Sequence, residues 1–371
     1  MKKKIIITFG TRPEIIRLTP TIKKIRKFYN CVLVNTNQNF DPNLNKNFLM
    51  ELEISKPKYN LKNQYKNNIE FISNMLIQVD RVLAIEKPDA FLVLGDTNSA
   101  LSLYLAKRNK IPSFHIEAGN RCFDNRVPEE INRKIVDNLA DINLTYSDVA
   151  KQNLIIENFS NDKVFKVGSP MSEVYDNFEN NINKSNILKK LKLSKDSYFL
   201  MSLHREEIVN DKNKLNIIFK SINQIIKKYK KPIILSTHPR TLDKVKKYKG
   251  KMKKIIFHKP FGFFDYTKLQ KNALITLSDS GSITEESNIL NFKAVNLRFT
   301  NERQEGFEAS GVIMPGIDSQ MISQTVDYLI NSKINNKIHP DYSDSSFSDK
   351  VLHIISSYIN YVKEKSWYNF N

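Results

Sequence analysis

Along most of the chain, short apolar runs alternate with longer stretches whose apolar positions recur every three or four residues. The short runs predict strands at Lys4–Gly10, Cys31–Thr36, Ala90–Gly95, Ser113–Ala118, Ile142–Tyr146 and Val164–Val167. The longer stretches predict helices such as Pro13–Phe28, with Pro13 in its first turn, and Asn98–Lys107. Near-continuous apolar strands separated by helices imply a parallel sheet covered on both faces. A polar stretch from Asp176 to Asn186 has little to bury and reads as a boundary. The alternation then restarts, with strands at Tyr198–Leu203, Pro232–Thr237, Lys254–His258, Leu274–Leu277 and Ala294–Leu297. Lys212–Lys228 and Ser319–Leu329 are among its helices, and a last helix runs from about Asp349 to Lys363. The expectation is an α/β chain with two Rossmann-like, doubly wound parallel-sheet domains. The first spans residues 1–170 and is joined by the C-terminal helix at 352–371; the second spans 171–351. In two such halves the strand ends face each other, so the expected site is an interdomain cleft.

Composition narrows the partners. At about 150 residues per domain, 371 residues agree with two domains. Lys and Arg exceed Asp and Glu by 58 to 39, a net charge of +19. The basic runs (Lys23 to Lys27, Lys227 to Lys231, Lys244 to Lys254) are lysine-dominated and interleaved with apolar residues at helical spacing. They read as solvated helix faces, so no nucleic-acid partner is expected. No apolar run approaches the roughly 18 residues of a membrane span, so no membrane insertion is expected. The start, Met1-Lys-Lys-Lys, leads into an apolar stretch too short for a signal peptide. Two cysteines, Cys31 and Cys122, build no disulfide framework, which points to the cytoplasm; Cys122 reads as a bystander.

The chemistry gathers at strand ends. Gly10-Thr11-Arg12-Pro13-Glu14 offers a turn glycine and places Arg12 at the mouth of the cleft. No G-x-G-x-x-G follows a strand, so no nicotinamide cofactor is indicated. Gly95-Asp96-Thr97 brings a carboxylate to the same edge, where Asp96 also suits a helix cap. The next strand delivers Glu117, and two neighbouring acids can divide the roles of proton donor and acceptor. In Val127-Pro128-Glu129-Glu130-Ile131-Asn132-Arg133, Glu129 and Arg133 share a helix face. Glu130 with Lys134 reads as a surface pair. In the second half, Ser202-Leu203-His204-Arg205 ends a strand with a histidine and a cation. Leu277 to Glu286 reads as strand, Ser280-Gly281-Ser282 turn and helix start, which is a phosphate cradle. Ser282 and Glu285 have capping-box spacing. That frees Glu286 to chelate ribose hydroxyls, while Arg298 and Arg303 stand ready for further phosphate contacts.

Together these residues resemble the non-hydrolysing UDP-N-acetylglucosamine 2-epimerase family over essentially the whole chain. The matching stretches are "FGTRPEIIRLTP", "GDTNSALS", "HIEAGNR", "VPEEINR", "SLHRE", "SDSGSITEES" and "NERQEG". Within the family, "EAGNRCFDNRVPEEINRKIVDNLADINLTYSD", "VGSPMSEV" and "KPFGFFDYTKLQ" look most like the UDP-N-acetyl-L-fucosamine synthase branch. Two departures concern sugar specificity: Asn37-Gln38-Asn39 replaces a glutamine flanked by Gly and His, and Arg17 stands where many members have lysine.

The resemblance implies a glycosyltransferase-B-like architecture, a UDP-sugar substrate, no metal, no cofactor and a homodimer. It also implies epimerisation at C2 through loss of UDP to a 2-acetamidoglycal and re-addition. Asp96, Glu117, Glu129 and His204 are then the catalytic candidates. Arg12, Arg133, Ser280, Gly281, Ser282, Glu286 and Arg303 are the candidates for holding the UDP-sugar. The expected product is UDP-N-acetyl-L-fucosamine, made from the L-talose-configured precursor for capsule or O-antigen polymers. The alternatives are UDP-N-acetylglucosamine/UDP-N-acetylmannosamine 2-epimerisation, a hydrolysing epimerase, a glycosyltransferase of the same architecture, and a non-catalytic UDP-sugar sensor.

Overall fold

The computed structural model describes residues 2–38, 48–62, 65–237, 239–249, 252, 254–309, 311–333 and 337–367. The chain divides into two compact units: Met1–Asp176 with Asp341–Asn371, and Asn177–Pro340.

In the first unit, β1 (Lys4–Phe9), β2 (Asn30–Asn35), β3 (Tyr59–Asn60), β4 (Ala90–Leu94), β5 (Ser113–Ile116), β6 (Ile142–Thr145) and β7 (Val164–Lys166) form one sheet. Its order is β3-β2-β1-β4-β5-β6-β7, and every pairing is parallel. Ile5, Ile6 and Ile7 are all fully buried, as strands covered on both faces must be. Helices α1 (Arg12–Phe28), α2 (Asn68–Glu86), α3 (Leu103–Arg108), α4 (Pro128–Leu139) and α5 (Asp148–Ile156) connect the strands. Ile15, Leu18, Ile22 and Ile25 are the buried stripe of α1. The helix expected at Asn98–Lys107 opens instead as a 3₁₀ segment, Asn98–Ser102, before α3.

The polar stretch at Asp176–Asn186 holds the boundary between the two units and is helical as far as Lys184. It continues α6 (Pro170–Lys184), in which Val174, Phe178 and Ile182 recur every four residues and are buried. The two units divide within this helix.

The second unit carries β8 (Phe199–Leu203), β9 (Ile233–Thr237), β10 (Ile255–His258), β11 (Ile275–Ser278), β12 (Ala294–Asn296) and β13 (Val312–Ile313), all parallel, in the order β10-β9-β8-β11-β12-β13. Its helices are α7 (Ile187–Lys190), α8 (Glu206–Val209), α9 (Lys212–Tyr229), α10 (Pro239–Lys249), α11 (Phe263–Asn272), α12 (Ile283–Leu290), α13 (Glu305–Glu308) and α14 (Ser319–Asn331). The last helix, α15 (Phe347–Trp367), belongs to the first unit and packs on α1, with Lys24 Nζ 2.5 Å from Asp349 and the Tyr29 and Ser356 hydroxyls 2.7 Å apart.

Strands β3 and β13, two residues each, are too short to show a strand period and went unread in the sequence. The expected fold class stands: an α/β chain with two Rossmann-like sheets. Each sheet reverses its winding once, between β1 and β4 in the first unit and between β8 and β11 in the second. Ligands of such sheets bind beyond the strand ends at that reversal. No helix among the described residues is long and apolar enough to cross a membrane.

Candidate active site

Three chain segments meet at the β1/β4 reversal. Gly10 is required there by crowding, since an added Cβ would lie 2.2 Å from Thr36 Oγ1 and 2.3 Å from Ser99 Oγ. Its backbone is not left-handed, so close approach and not turn formation explains the glycine. Glu14, which the sequence reading left unassigned, is buried and ties the segments together. Its Oε2 accepts from the backbone N–H groups of Gly10 (2.9 Å) and Thr11 (2.7 Å), and Oε1 accepts from the Thr97 hydroxyl (2.9 Å). The T-x-x-E spacing was the available signal. Arg12, half-buried, lies with its guanidinium 5.1 Å from the Phe48 ring centre. Arg17 is buried, 5.8 Å from the Tyr146 ring. Asn37 and Gln38 lie at the same edge, where Gln38 accepts from the backbone N–H of Ser99. Asn39 lies outside the described residues.

Burial pushes the Glu14 carboxyl up to about 7, against the lowering pull of its Gly10, Thr11 and Thr97 donors. A carboxyl raised by folding stabilises fully below its unfolded value, and the benefit is lost as pH rises through the folded one. Wild-type stability is therefore expected to fall, relative to Glu14→Gln, as pH rises from about 4.5 to about 7. Urea denaturation of both proteins across that range checks this; parallel curves would refute it.

Asp96 follows β4 and is held by Arg133 of α4, whose Nε lies 3.0 Å and Nη2 2.5 Å from Asp96 Oδ2. Arg133 also donates to Glu130 at 2.8 Å. The Glu130–Lys134 pair that the four-residue spacing indicated is present only at 4.0 Å, and it is not a surface pair. Glu130 is fully buried and accepts from the backbone N–H groups of Cys122 (3.0 Å) and Phe123 (3.2 Å). Those donors and Arg133 outweigh the desolvation that opposes the charge, leaving its carboxyl below the usual range. Glu129, one residue earlier, is half-buried on the same helix as Arg133. Cys122 is buried and its thiol is pushed up to about 11, mainly by desolvation, which suits a bystander.

Glu117 sits just past β5 with φ +71°, a left-handed conformation in which a glutamate is uncommon and which functional sites retain. Asn120 donates to its Oε1 at 3.3 Å, and its Oε2 lies 3.8 Å from where a Gly95 Cβ would stand. Glu117 thus reaches the turn that carries Asp96. Beneath both, His115 is fully buried. One ring nitrogen lies 2.9 Å from the Gly95 carbonyl and the other 2.9 Å from Asp137 Oδ1. Arg121 reaches the same Asp137 at 2.7 Å and Glu157 at 2.6 Å.

In the second unit, His204 follows β8 and the Ser280–Ser282 turn follows β11. The two strands are neighbours, with the Ser202 and Ser278 hydroxyls 2.7 Å apart. Gly281 faces Glu302, where an added Cβ would stand 1.9 Å from Oε1. Glu302 is buried and pairs with Arg298 at 2.9 Å and Arg205 at 3.7 Å, so two guanidinium groups back the turn. Arg303 is buried with Nε 3.6 Å from Glu285. The Ser282–Glu285 capping box does not form. Ser282 already has helical dihedrals and its hydroxyl donates one turn on, to Glu286 Oε1 at 2.7 Å. Gln270 Nε2 donates to the other Glu286 oxygen at 2.6 Å. The sequence reading missed Asp279, Gln270 and Glu302. Only Asp279, directly before the Ser-Gly-Ser turn, carried a positional hint.

Paired Rossmann-like units, with acids at one set of strand ends and a serine-lined helix start at another, define an α/β enzyme of glycosyltransferase-B-like architecture. The chain belongs to the UDP-N-acetylglucosamine 2-epimerase family, whose profile matches residues 23–356, and is thereby an isomerase. The solved UDP-N-acetylglucosamine 2-epimerase of Rickettsia bellii is 44% identical, covers 100% of both chains and superposes with a TM-score of 0.94. The Methanocaldococcus jannaschii UDP-GlcNAc 2-epimerase, solved with UDP-GlcNAc and UDP, is 35% identical over 95% of this chain and 99% of its own, with a TM-score of 0.90. A UDP-2,3-diacetamido-2,3-dideoxy-D-glucuronate 2-epimerase of Pseudomonas aeruginosa is 31% identical over 87% of this chain and 91% of its own.

Proposed function

We propose that the enzyme inverts C2 of a UDP-2-acetamido sugar by eliminating UDP and adding it back. That carbon has no carbonyl neighbour, so its hydrogen is not acidic enough for simple removal. Breaking the C1–O bond to UDP while C2–H is lost gives a neutral 2-acetamidoglycal, UDP and a protonated base. Return of UDP to C1 and of a proton to the opposite face of C2 completes the inversion. The reaction needs stabilisation of the departing diphosphate and proton-transfer groups about C2.

The placement of Glu117 beside the Asp96 turn carries this reading, with Arg133 holding Asp96. Asp96, Glu117 and Glu129 move the protons. Arg12, His204, Ser280, Gly281 and Ser282 hold the diphosphate, with Arg303 behind the turn. Glu286, held by Ser282 and Gln270, takes the ribose hydroxyls. The reading includes a homodimer, supported by Ile131 and Ile135, which stand exposed one turn apart on α4. Turnover in deuterated water is expected to leave deuterium at C2 of the product; a product without it would remove proton exchange from the mechanism.

For the sugar we assign UDP-2-acetamido-2,6-dideoxy-L-talose, converted to UDP-N-acetyl-L-fucosamine, on the strength of the branch-like stretches around Glu117 and Phe261. Interconversion of UDP-N-acetylglucosamine and UDP-N-acetylmannosamine is the second reading, favoured by the relative solved with UDP-GlcNAc. NMR of the C1 and C2 protons after incubation with each substrate separates them. Turnover of UDP-N-acetylglucosamine alone would replace the first reading with the second.

A further inference from the structure

Asp279 lies between β11 and the Ser280–Ser282 turn and is fully buried. Its Oδ2 accepts from the backbone N–H groups of His204 and Arg205, each at 2.9 Å. Its Oδ1 stands 3.1 Å from His204 Nδ1. The His204 side chain is 49% exposed. One carboxylate therefore grips both the backbone and the inner face of the same histidine, while the rest of the ring looks outward. We propose that Asp279 is a positioning residue that keeps the proton on His204 Nδ1, so that Nε2 is the nitrogen exchanging a proton with a bound nucleotide diphosphate. This rests on the reading that the diphosphate binds at the His204 and Ser280–Ser282 edge.

The chemistry follows from the donor and acceptor inventory. An ionised carboxylate accepts only, so the Nδ1 it faces carries hydrogen in both the neutral and the charged ring. When Nε2 is also protonated, the ring presents a cation and an N–H to an anion. When Nε2 is bare, it presents a lone pair, which repels one. Desolvation on the packed side works against the imidazolium, but the Asp279 charge and hydrogen bond outweigh it, and Arg205 and Arg298 oppose it only in part. Asp279 in turn lies below the usual carboxylate range: its desolvation is outweighed by the His204 charge and the two N–H donors. The other charged or titratable groups at this edge are Glu302, shared by the two arginines, Glu207, 3.9 Å from Arg205, and the Tyr266 phenol, which donates to Ser202. A ring already oriented loses less conformational freedom on meeting the ligand than a freely rotating one.

The test combines ring ¹⁵N NMR of histidine-labelled protein with UDP titration calorimetry from pH 5.5 to 8.5. In the ligand-free wild type, His204 is expected to show a protonated Nδ1 at high pH. A neutral ring protonated on Nε2 overturns the proposal without any variant. Asp279→Asn keeps an oxygen for the two backbone donors but loses the negative charge. It is expected to move His204 titration to lower pH and to weaken UDP about ten-fold or more at neutral pH, with the loss shrinking as pH falls. The double variant His204→Ala/Asp279→Asn is expected to bind UDP no more weakly than His204→Ala, because Asp279 acts through the ring. If Asp279→Asn binds UDP with the wild-type pH profile, or the double variant shows additive losses, the positioning role falls. If His204→Ala binds UDP as the wild type does, the diphosphate reading itself fails, and this proposal with it.

Discussion

Glu117→Gln is expected to lower turnover by about 10²–10⁴-fold while leaving UDP affinity unchanged. The substitution removes a proton-transfer group and little else. Glutamine has the same shape, the backbone at φ +71° is unaffected, and Asn120 still finds an oxygen to donate to. UDP affinity is spared because the nucleotide contacts assigned to His204, Ser280–Ser282 and Glu286 lie in the other unit, and Arg12 follows a different strand from Glu117. Steady-state kinetics with UDP calorimetry on the same preparation decides the matter. Wild-type-like turnover would remove Glu117 from the chemistry. Lost turnover together with lost UDP binding would assign it to holding substrate.

The second large effect concerns stability. Arg121→Ala is expected to cost about 3–5 kcal/mol and to lower the melting midpoint by about 10 °C. Arg121 is fully buried and neutralises Asp137, itself fully buried, as well as Glu157. Without the guanidinium, Asp137 keeps only His115 and the Gly119 N–H, 3.3 Å from each oxygen. Arg126→Ala is the control. Arg126 is 85% exposed and pairs only locally with Asp124, so its loss is expected to leave the midpoint where it was. Melting curves followed by near-ultraviolet circular dichroism check both. Equal effects would mean that burial does not set the cost of losing an arginine here.

The contrast between Arg121 and Arg126 shows what was hidden in the segment from Phe114 to Arg133. Sequence spacing sorted only some of its charges, and they serve different ends. Glu117 and Glu129 are candidates for proton transfer. Arg121 and Glu130 brace the buried backbone under the site, while Asp124 and Arg126 pair on the surface. A charge carries no mark of its own burial. That depends on which distant segment arrives beside it. Asp96 meets Arg133 from 37 positions away, and His204 meets Asp279 from 75.

The strand and helix alternation was legible because its periods, two or fewer residues for a buried strand and 3.6 for a helix, are local properties. Legible for the same reason were the carboxyl-edge placement of Arg12, Asp96, Glu117 and His204 and the Ser-Gly-Ser helix start, since each directly follows a strand. Asp176–Asn186 was legible as a boundary, but its polar composition masked the fourfold spacing of Val174, Phe178 and Ile182, which the helix buries. The Ser282–Glu285 cap failed because Ser282, at the N-cap, already has helical instead of extended dihedrals, and its hydroxyl meets Glu286. By itself, the sequence determined two parallel α/β sheets and the residues at their strand ends. Tertiary structure alone decided which carboxylates are struts and which face outward, because a buried ion persists only where packing brings it a counter-charge or an N–H group.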